Sequence, residues 1–370
     1  GSRKAKFGRS KEKRRDCKLL VLALCINTQG FPRYSSILEG NTADPKSLPD
    51  MIEKLILENP ANDLKGNNTL VVIDAGIATE ENLALIKGKG YNYLCVSRSR
   101  LADYELEPGA KAVKVLDATH KQEISLTEVK HEEGGDYFLE VKSPGKRLKE
   151  ESMNRKFRQQ FEEGMEAIDA STRKKHGVKQ YDKVIKRIGS LEAKYPSIRR
   201  FYSITTKQDG HGNVTAVEWT LEVPDEMQFG TYFLRTNRDK LDEKTTWDYY
   251  NLIRDIECTN RQLKTDLNLR PIYHKLDKNS DAHLFFGLLA YWIVNTIRFQ
   301  LGQKGIKCYW TEIIRRMSTQ KAVTSIAYNP LGEEVEMRIC SDPTVHAAEI
   351  YDALSFRRTP FRRIKIRGTQ

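Results

Sequence analysis

A carboxylate and several cations recur at helical spacing in the segment 245–266. In order, the residues are Tyr250, Arg254, Glu257, Arg261 and Lys264. Spacings of four, three, four and three residues place these side chains on one face of an α-helix. One interpretation is a solvated face of salt bridges. The other is that Glu257 binds a metal ion while the cations bind phosphates, with Lys264 only about 20° from Glu257 around the helix axis.

A second carboxylate follows a strand of buried type. Residues 69–73 form a short apolar run, and Asp74, Ala75 and Gly76 come directly after it. Because α/β folds place their sites at the carboxyl ends of strands, Asp74 is a candidate metal ligand. Aspartate is also common in turns and at helix N-caps, so a turn role stays open.

The segments around these residues alternate between strand and helix patterns. An apolar run at 19–26, a turn at 27–30 and an extended stretch at 32–38 predict a hairpin. Helices are predicted at 47–57 and from Thr79 onward, and strands at 69–73 and 91–96. This alternation predicts an α/β core.

The region 99–228 differs from its surroundings, because β-like segments flank a highly charged helical part, and we predict that it is an insertion. Its β-like segments lie near 111–116, 122–129, 136–142, 201–206 and 214–223. Between them, the apolar stripes Met153 to Ile168 and Tyr181 to Leu191 predict two antiparallel helices. We therefore divide the chain into 1–98 and 229–305 as the core, 99–228 as the insertion and 306–370 as a C-terminal extension.

After the insertion the sequence predicts a strand at 231–236 and helices at 245–266, 281–301 and 310–317. A short strand pair and a last helix follow. The basic segment 357–367 is predicted to be a tail.

The overall charge favours a polyanionic partner. Lys and Arg total 62 against 50 Asp and Glu, giving a formal charge of +12. The six cysteines include no close pair, which argues against a zinc knuckle or a disulfide framework and favours the cytoplasm. No signal peptide is visible, and no apolar stretch reaches the roughly 18 residues that a membrane span needs, so no membrane partner is expected.

Several short motifs occur together in this chain. They are Gly40-Asn41-Thr42 with Asp44, Asp74-Ala75-Gly76, Leu234-Arg235-Thr236-Asn237, Tyr250 through Glu257 to Lys264, Arg270-Pro271-Ile272-Tyr273-His274 and Ala290-Tyr291-Trp292. In this combination the sequence resembles bacterial insertion-sequence transposases of the DDE type, cut-and-paste enzymes with a Tyr-Arg-Glu-Lys signature. The resemblance is dense over 8–96 and 231–301 and faint in between.

The resemblance implies a ribonuclease-H-like core with a large β-rich and helical insertion between the second Asp and the Glu. It implies that Asp74 and Glu257 are the catalytic metal ligands, with Mg²⁺ as the cofactor and Mn²⁺ as a substitute. The DNA-binding residues would be Lys264, Arg254, Arg261, Tyr250, Arg235, Asn237 and His274. The implied activity is cleavage and strand transfer of double-stranded DNA, namely terminal repeats and target, by a homodimer associated with the nucleoid.

The sequence departs from the family pattern at two points. Arg254 lies one position closer to Glu257 than the signature has its arginine. In the family the first Asp lies on the strand before the hairpin, whereas Asp16 falls in a basic loop. We therefore expect that the first catalytic carboxylate is absent from residues 1–370.

Three other functions stay open at this point. The same fold without its first carboxylate would bind DNA ends and not cut them, and a ribonuclease-H-type nuclease would hydrolyse without strand transfer. A helical scaffold with an incidental acidic face would not bind DNA.

Other residues have simpler interpretations. His274 and His283 suit packing or a loop hydrogen bond, and Tyr291 and Trp292 suit the core. The run Arg9 to Arg15 fits a loop that binds phosphates or a disordered terminus equally well.

Overall fold

The structure, a computed structural model, describes residues 1–9, 16–58, 69–98, 101, 104–116, 122–130, 135–222, 228–239, 241–360 and 362–367. Of the basic run Arg9 to Arg15, only Arg9 lies within these ranges. Ser10, Lys11 and Arg15, which fall within the 8–96 range where the resemblance is dense, lie outside the described residues.

The secondary structure is mixed, which confirms the predicted α/β class. The strands are β1 (Leu20–Ile26), β2 (Pro32–Glu39), β3 (Leu70–Val72), β4 (Asn92–Val96), β5 (Val113–Leu116), β6 (Glu123–Glu128), β7 (Tyr137–Lys142), β8 (Tyr202–Gln208), β9 (Val214–Leu221), β10 (Thr231–Thr236), β11 (Ala322–Tyr328), β12 (Glu334–Cys340) and β13 (Arg362–Arg367). The helices are α1 (Leu48–Glu58), α2 (Glu80–Gly88), α3 (Pro144–Arg173), α4 (Tyr181–Lys194), α5 (Pro196–Arg199), α6 (Glu243–Arg261), α7 (Asp277–Gln303), α8 (Trp310–Met317) and α9 (Val345–Ala353).

The chain forms two compact units. The first unit comprises Gly1–Tyr93 and Asp248–Gln370, and the second comprises Leu94–Trp247. The first unit therefore contains both Asp74 and Glu257, although 182 residues separate them in the sequence.

The predicted hairpin of the first unit is confirmed. Strands β1 and β2 pair antiparallel, and the Asn27 side chain accepts hydrogen bonds from the Gln29 and Phe31 amides. Gly30 takes a positive φ of 79°, which glycine adopts without a steric penalty. Apolar side chains of the hairpin pack on a buried cluster from α7 and the segment after α6, formed by Leu263, Leu269, Leu284, Leu288 and Tyr291. This packing fixes the hairpin against the end of the Glu257 helix.

The segment around Asp74 has the predicted strand–turn–helix order. Strand β3 ends at Val72, Ile73 is buried, and Thr79 caps α2 by accepting a hydrogen bond from the Asn82 amide. Leu83 and Ile86 of α2 are fully buried. The strand and the helix thus anchor both ends of the turn that carries Asp74.

Strands β4, β10, β7, β6 and β5 are adjacent in that order within a six-stranded sheet, and the pairs among them are antiparallel. Strand β10 pairs with β4 on one side and with β7 on the other. Because β10 is far from β4 and β7 in the sequence, both pairings are long-range contacts.

The predicted helix pair of the second unit is also confirmed. Helix α3 ends at Arg173 and α4 begins at Tyr181, with His176 and Gly177 in the connection. Their apolar stripes meet strands β8 and β9 in a buried cluster that includes Phe161, Met165, Ile168, Val184 and Ile188. The burial follows from the 3.6-residue period of both stripes.

The C-terminal part contains a third small sheet. Strands β11, β12 and β13 pair in that order, and Leu301, Ile313 and Ile350 form a buried cluster of helices α7, α8 and α9. The prediction that 357–367 is a tail is wrong for Arg362–Arg367, which pair with β12. Ile364 and Ile366 alternate with cations, a strand pattern that the charge run concealed.

Helix α7 contradicts the prediction that no apolar stretch is long enough to span a membrane. It is long and apolar enough to cross a membrane by length and composition, and 33% of its most apolar stretch is buried. The prediction that no such stretch exists overlooked it because charged residues such as Asp281 and Arg298 lie toward its ends. A single helix of this kind is weak support for a membrane span.

Candidate active site

Glu257 lies on the exposed face of α6, in the part of that helix that belongs to the first unit. Arg254 and Arg261 lie one turn to either side, at the spacing that forms ion pairs on helices. The Glu257 carboxylate nevertheless makes no ion pair or hydrogen bond within the described part of the chain. Glu257 is therefore an exposed anion between two cations, and it is paired with neither.

The opposite face of α6 is held by buried polar contacts. Thr259, two residues after Glu257 and so about 200° around the axis, is 2% exposed. Its hydroxyl lies 2.8 Å from the Tyr291 hydroxyl, which donates to the Gly30 carbonyl at 2.8 Å. These bonds join α6, α7 and the hairpin turn. They orient the helix so that Glu257 faces solvent.

The predicted helix 245–266 is α-helical only as far as Arg261. Gln262–Asp266 forms a π-helical turn, in which the Leu267 amide donates to the Gln262 carbonyl. Lys264 is exposed on this turn. Because a π-turn is wider than an α-turn, the angle of about 20° between Glu257 and Lys264 does not apply. Such turns are frequent at functional sites.

Asp74 is exposed and begins a tight turn after β3. Its carboxylate accepts a hydrogen bond from the Ala75 amide at 2.8 Å, and its carbonyl accepts from the Ile77 and Ala78 amides. The carboxylate takes part in no ion pair within the described ranges. Asp74 thus has the predicted turn role, and its second carboxylate oxygen has no hydrogen-bond partner among the described residues.

The sequence was compared with known proteins. A model of the transposase DDE domain family matches residues 2–293. The chain belongs to this family. No curated protein matches the sequence. The family match confirms the resemblance to insertion-sequence transposases of the DDE type, and the mixed α/β architecture fits their ribonuclease-H-like fold. The family match ends within α7, so the sheet β11-β12-β13 lies outside the matched residues.

The donors that this transposase offers fit a hard divalent cation in type. Asp74 and Glu257 are exposed carboxylates, and Mg²⁺ is bound by one or two carboxylates together with water and substrate oxygens. Among the described residues, no group of three or more His, Cys, Asp or Glu comes together to hold a metal ion. The chain therefore contributes at most two carboxylates from the residues that the structure describes.

The other cations and aromatic residues of α6 differ in their surroundings. Arg254 and Arg261 are exposed, and Tyr250 is half-buried. The Arg261 guanidinium lies 5.8 Å from the centre of the ring of Tyr309, the residue before α8. At the start of the helix, hydrogen bonds from the side chain and amide of Thr245 lower the pKa of Asp242.

Arg235 and Asn237 lie in the second unit of the transposase. The Arg235 guanidinium forms an ion pair at 2.6 Å with Asp136, whose side chain is only 5% exposed. Arg235 also lies over the Phe138 ring of β7. These contacts join β10 to β7, and Asn237 follows half-buried after β10.

The histidines after α6 contact each other. The His274 and His283 rings are 5.3 Å apart, and the His283 Nε2 atom lies 3.0 Å from the Leu269 carbonyl. This agrees with the loop hydrogen bond that the sequence favoured for His283. His274 is exposed.

Helix α7 supplies residues that the sequence did not assign to the site. Tyr291 is buried as predicted, but its bond to Thr259 was not foreseen, and neither was the bond from Asn295 to the Gln29 carbonyl. The signal was available, because Tyr291 and Asn295 are polar residues four apart in an apolar helix. The prediction that Trp292 lies in the core is wrong. It is 42% exposed and contacts Phe31.

Proposed function

We propose that this transposase cleaves strands of double-stranded DNA and joins the freed ends to target DNA, with Asp74 and Glu257 as the metal-binding carboxylates. The family implies a polynucleotidyl transferase that acts on DNA. Bound Mg²⁺, or Mn²⁺ in its place, would supply Lewis-acid stabilisation of the charge on the attacking and leaving oxygens. We further propose that the enzyme acts in the cytoplasm, on terminal repeats and target DNA.

The observation that carries this proposal is the absence of an ion pair at Glu257. Cations four residues from a glutamate can pair with it on a helix, as Arg147 does with Glu151 on α3. A paired carboxylate would have to break its ion pair before it could bind a metal ion. Glu257 has none to break, and its orientation is fixed from the opposite face by Thr259.

The cations nearby would bind the DNA backbone. Lys264, Arg254 and Arg261 lie on the same helical segment as Glu257, and exposed cations of this kind contact phosphates without reading sequence. Tyr250, before these cations, and His274, after them, would add further DNA contacts. Arg235 is held by Asp136, so we infer that it positions β10, and Asn237, just after that strand, would add a DNA contact.

The insertion and the oligomeric state belong to the same proposal. The region between Asp74 and Glu257 contains the helix pair and most of the antiparallel sheet, in agreement with an insertion into a ribonuclease-H-like core. Two DNA ends joined by one enzyme are most simply held by two copies. We therefore propose a homodimer on DNA.

A cleavage assay on element-end DNA in Mg²⁺ tests the carboxylates. Glu257→Gln and Asp74→Asn remove a metal-binding charge at nearly constant volume, and each should reduce cleavage about 1,000-fold, equivalent to about 4 kcal/mol of lost transition-state stabilisation. The matched control is Asp248→Asn, an exposed carboxylate nine residues earlier and about 180° around α6 from Glu257. It should cleave at the wild-type rate.

The same assay separates the other functions. If wild-type protein binds the DNA and does not cut it, the chain is a binding module and the enzyme proposal fails. If it cuts and no joined products form, it is a nuclease without strand transfer. Equal cleavage by Glu257→Gln and Asp248→Asn would remove Glu257 from the site.

A further inference from the structure

The connection between α3 and α4 has a concentration of positive charge that the candidate active site does not use. Residues 173–187 contain seven Lys and Arg and one acidic residue, whereas residues 144–172 of α3 contain six of each sign. The excess is therefore local. It begins where α3 ends.

The fold gathers these cations at one end of the helix pair. The Ser171 hydroxyl accepts hydrogen bonds from the Val178 amide and the Arg187 guanidinium, so the start of α4 turns back beside the end of α3. A Cβ on Gly177 would lie 1.7 Å from the Ser171 carbonyl oxygen, which shows how closely the turn is packed. Lys179 is held in the same place because its carbonyl accepts from the Val214 amide of β9.

Five lysines in the α3–α4 connection and the first turns of α4, here called the junction lysines, have ammonium groups without a protein partner among the described residues. They are Lys174, Lys175, Lys179, Lys183 and Lys186. None of their ammonium groups takes part in an ion pair or hydrogen bond within the described residues, and all except Lys179, which is half-buried, are exposed.

The nearby acidic residues do not neutralise the junction lysines. Asp182 lies four residues before Lys186 and forms no ion pair with it. Asp209 accepts hydrogen bonds from the His211 and Asn213 amides in its own turn. Asp169 is paired with Arg173. The junction therefore keeps its positive charge, in contrast to the rest of α3, where cations at i,i+4 spacing pair with glutamates.

We propose that the junction lysines bind the sugar–phosphate backbone of double-stranded DNA, forming a contact surface additional to the Glu257 helix. The proposal rests on the proposed function, in which DNA is the substrate. Unpaired exposed lysines can contact phosphates without breaking an existing ion pair, and each contact releases counterions from the DNA. The contacts would position the duplex and would carry no sequence specificity.

Fluorescence anisotropy with a labelled duplex of unrelated sequence, over a series of NaCl concentrations, tests the surface. The variant Lys174→Gln/Lys183→Gln/Lys186→Gln removes three charges; Lys183 and Lys186 lie in α4, where glutamine has a similar helix propensity, and Lys174 lies just after α3. Binding at low salt should weaken about tenfold or more, and the slope of log K against log salt should fall by about 0.9 per lost contact, or about 2 to 3 for the variant.

The matched control is Lys89→Gln/Lys114→Gln/Lys130→Gln, which removes the same charge from lysines that are already paired with glutamates. It should change affinity less than twofold. Equal effects of the two triple variants would overturn the proposal, because a general loss of charge would then explain both. Weakened binding to an RNA duplex with unchanged DNA binding would overturn it as well.

The cleavage assay keeps the two proposals apart. At protein concentrations that saturate the DNA, the junction variant should lose far less cleavage than the about 1,000-fold loss expected for Glu257→Gln. If Glu257→Gln cleaves normally, the active-site proposal fails, and the anisotropy result still decides the junction surface.

Discussion

Helices α3 and α6 both carry cations and glutamates at i,i+4 spacing, and they use them in opposite ways. On α3 the cations that lie four residues before a glutamate are paired with it, as in Arg158 with Glu162, and the inner face is an apolar stripe. On α6 the outward Glu257 is unpaired, and the inner face is held by the Thr259–Tyr291 hydrogen bond. Charge spacing alone therefore does not tell a solvated face from a binding face.

The largest difference in stability should come from the inner face of α3. Phe161 is fully buried between α3, α4 and the β8–β9 hairpin, so Phe161→Ala should lower the free energy of unfolding of the second unit by about 3–5 kcal/mol. Urea unfolding followed by circular dichroism measures this. Leu148→Ala, at a 63% exposed position of the same helix, is the control and should change it by about 0.5 kcal/mol or less. Similar losses in the two variants would contradict the apolar anchoring of α3.

A change on the inner face of α6 should lower the free energy of unfolding by less, and it should also reduce DNA cleavage. Tyr291→Phe removes one hydroxyl and leaves the buried Thr259 hydroxyl and the Gly30 carbonyl without that partner. The cost should be about 1–3 kcal/mol. Because these bonds orient Glu257, DNA cleavage should also fall at temperatures where the variant is folded.

Tyr273→Phe is the control for Tyr291→Phe, since Tyr273 is 85% exposed. It should leave both stability and cleavage unchanged. If Tyr291→Phe is destabilised and still cleaves at the wild-type rate, the polar contacts on this face only support the fold.

The elements of both regions could be predicted from periodicity. The strand at 231–236 and the helix at 310–317 have the predicted bounds, and the α3–α4 pair follows from its two stripes. Local patterns sufficed because each element buries one side and exposes the other.

The features that the sequence did not reveal depend on contacts or on local backbone geometry. The π-turn at Gln262–Asp266 continues a helical pattern without a break in spacing, so periodicity cannot detect it. Trp292 lies in a helix that is apolar on most sides, so the pattern does not say which side is exposed. The predicted position of Asp74 at a strand end is confirmed, but whether Glu257 pairs with its neighbours depends on side-chain conformations that spacing leaves open.

The smallest effect is expected where the outer face of α3 is changed. Glu151 and Arg147 form an i,i+4 pair at 2.7 Å between a half-buried carboxylate and an exposed guanidinium, and such a pair contributes about 0.3–0.5 kcal/mol. Glu151→Gln should lower the free energy of unfolding by that amount in low salt and by less in 1 M NaCl, where the ion pair is screened. Glu257→Gln should show no such salt-dependent loss, because no ion pair is broken. A salt-dependent loss of the same size at Glu257 would mean that this carboxylate is paired in solution, and the distinction between the two helices would disappear.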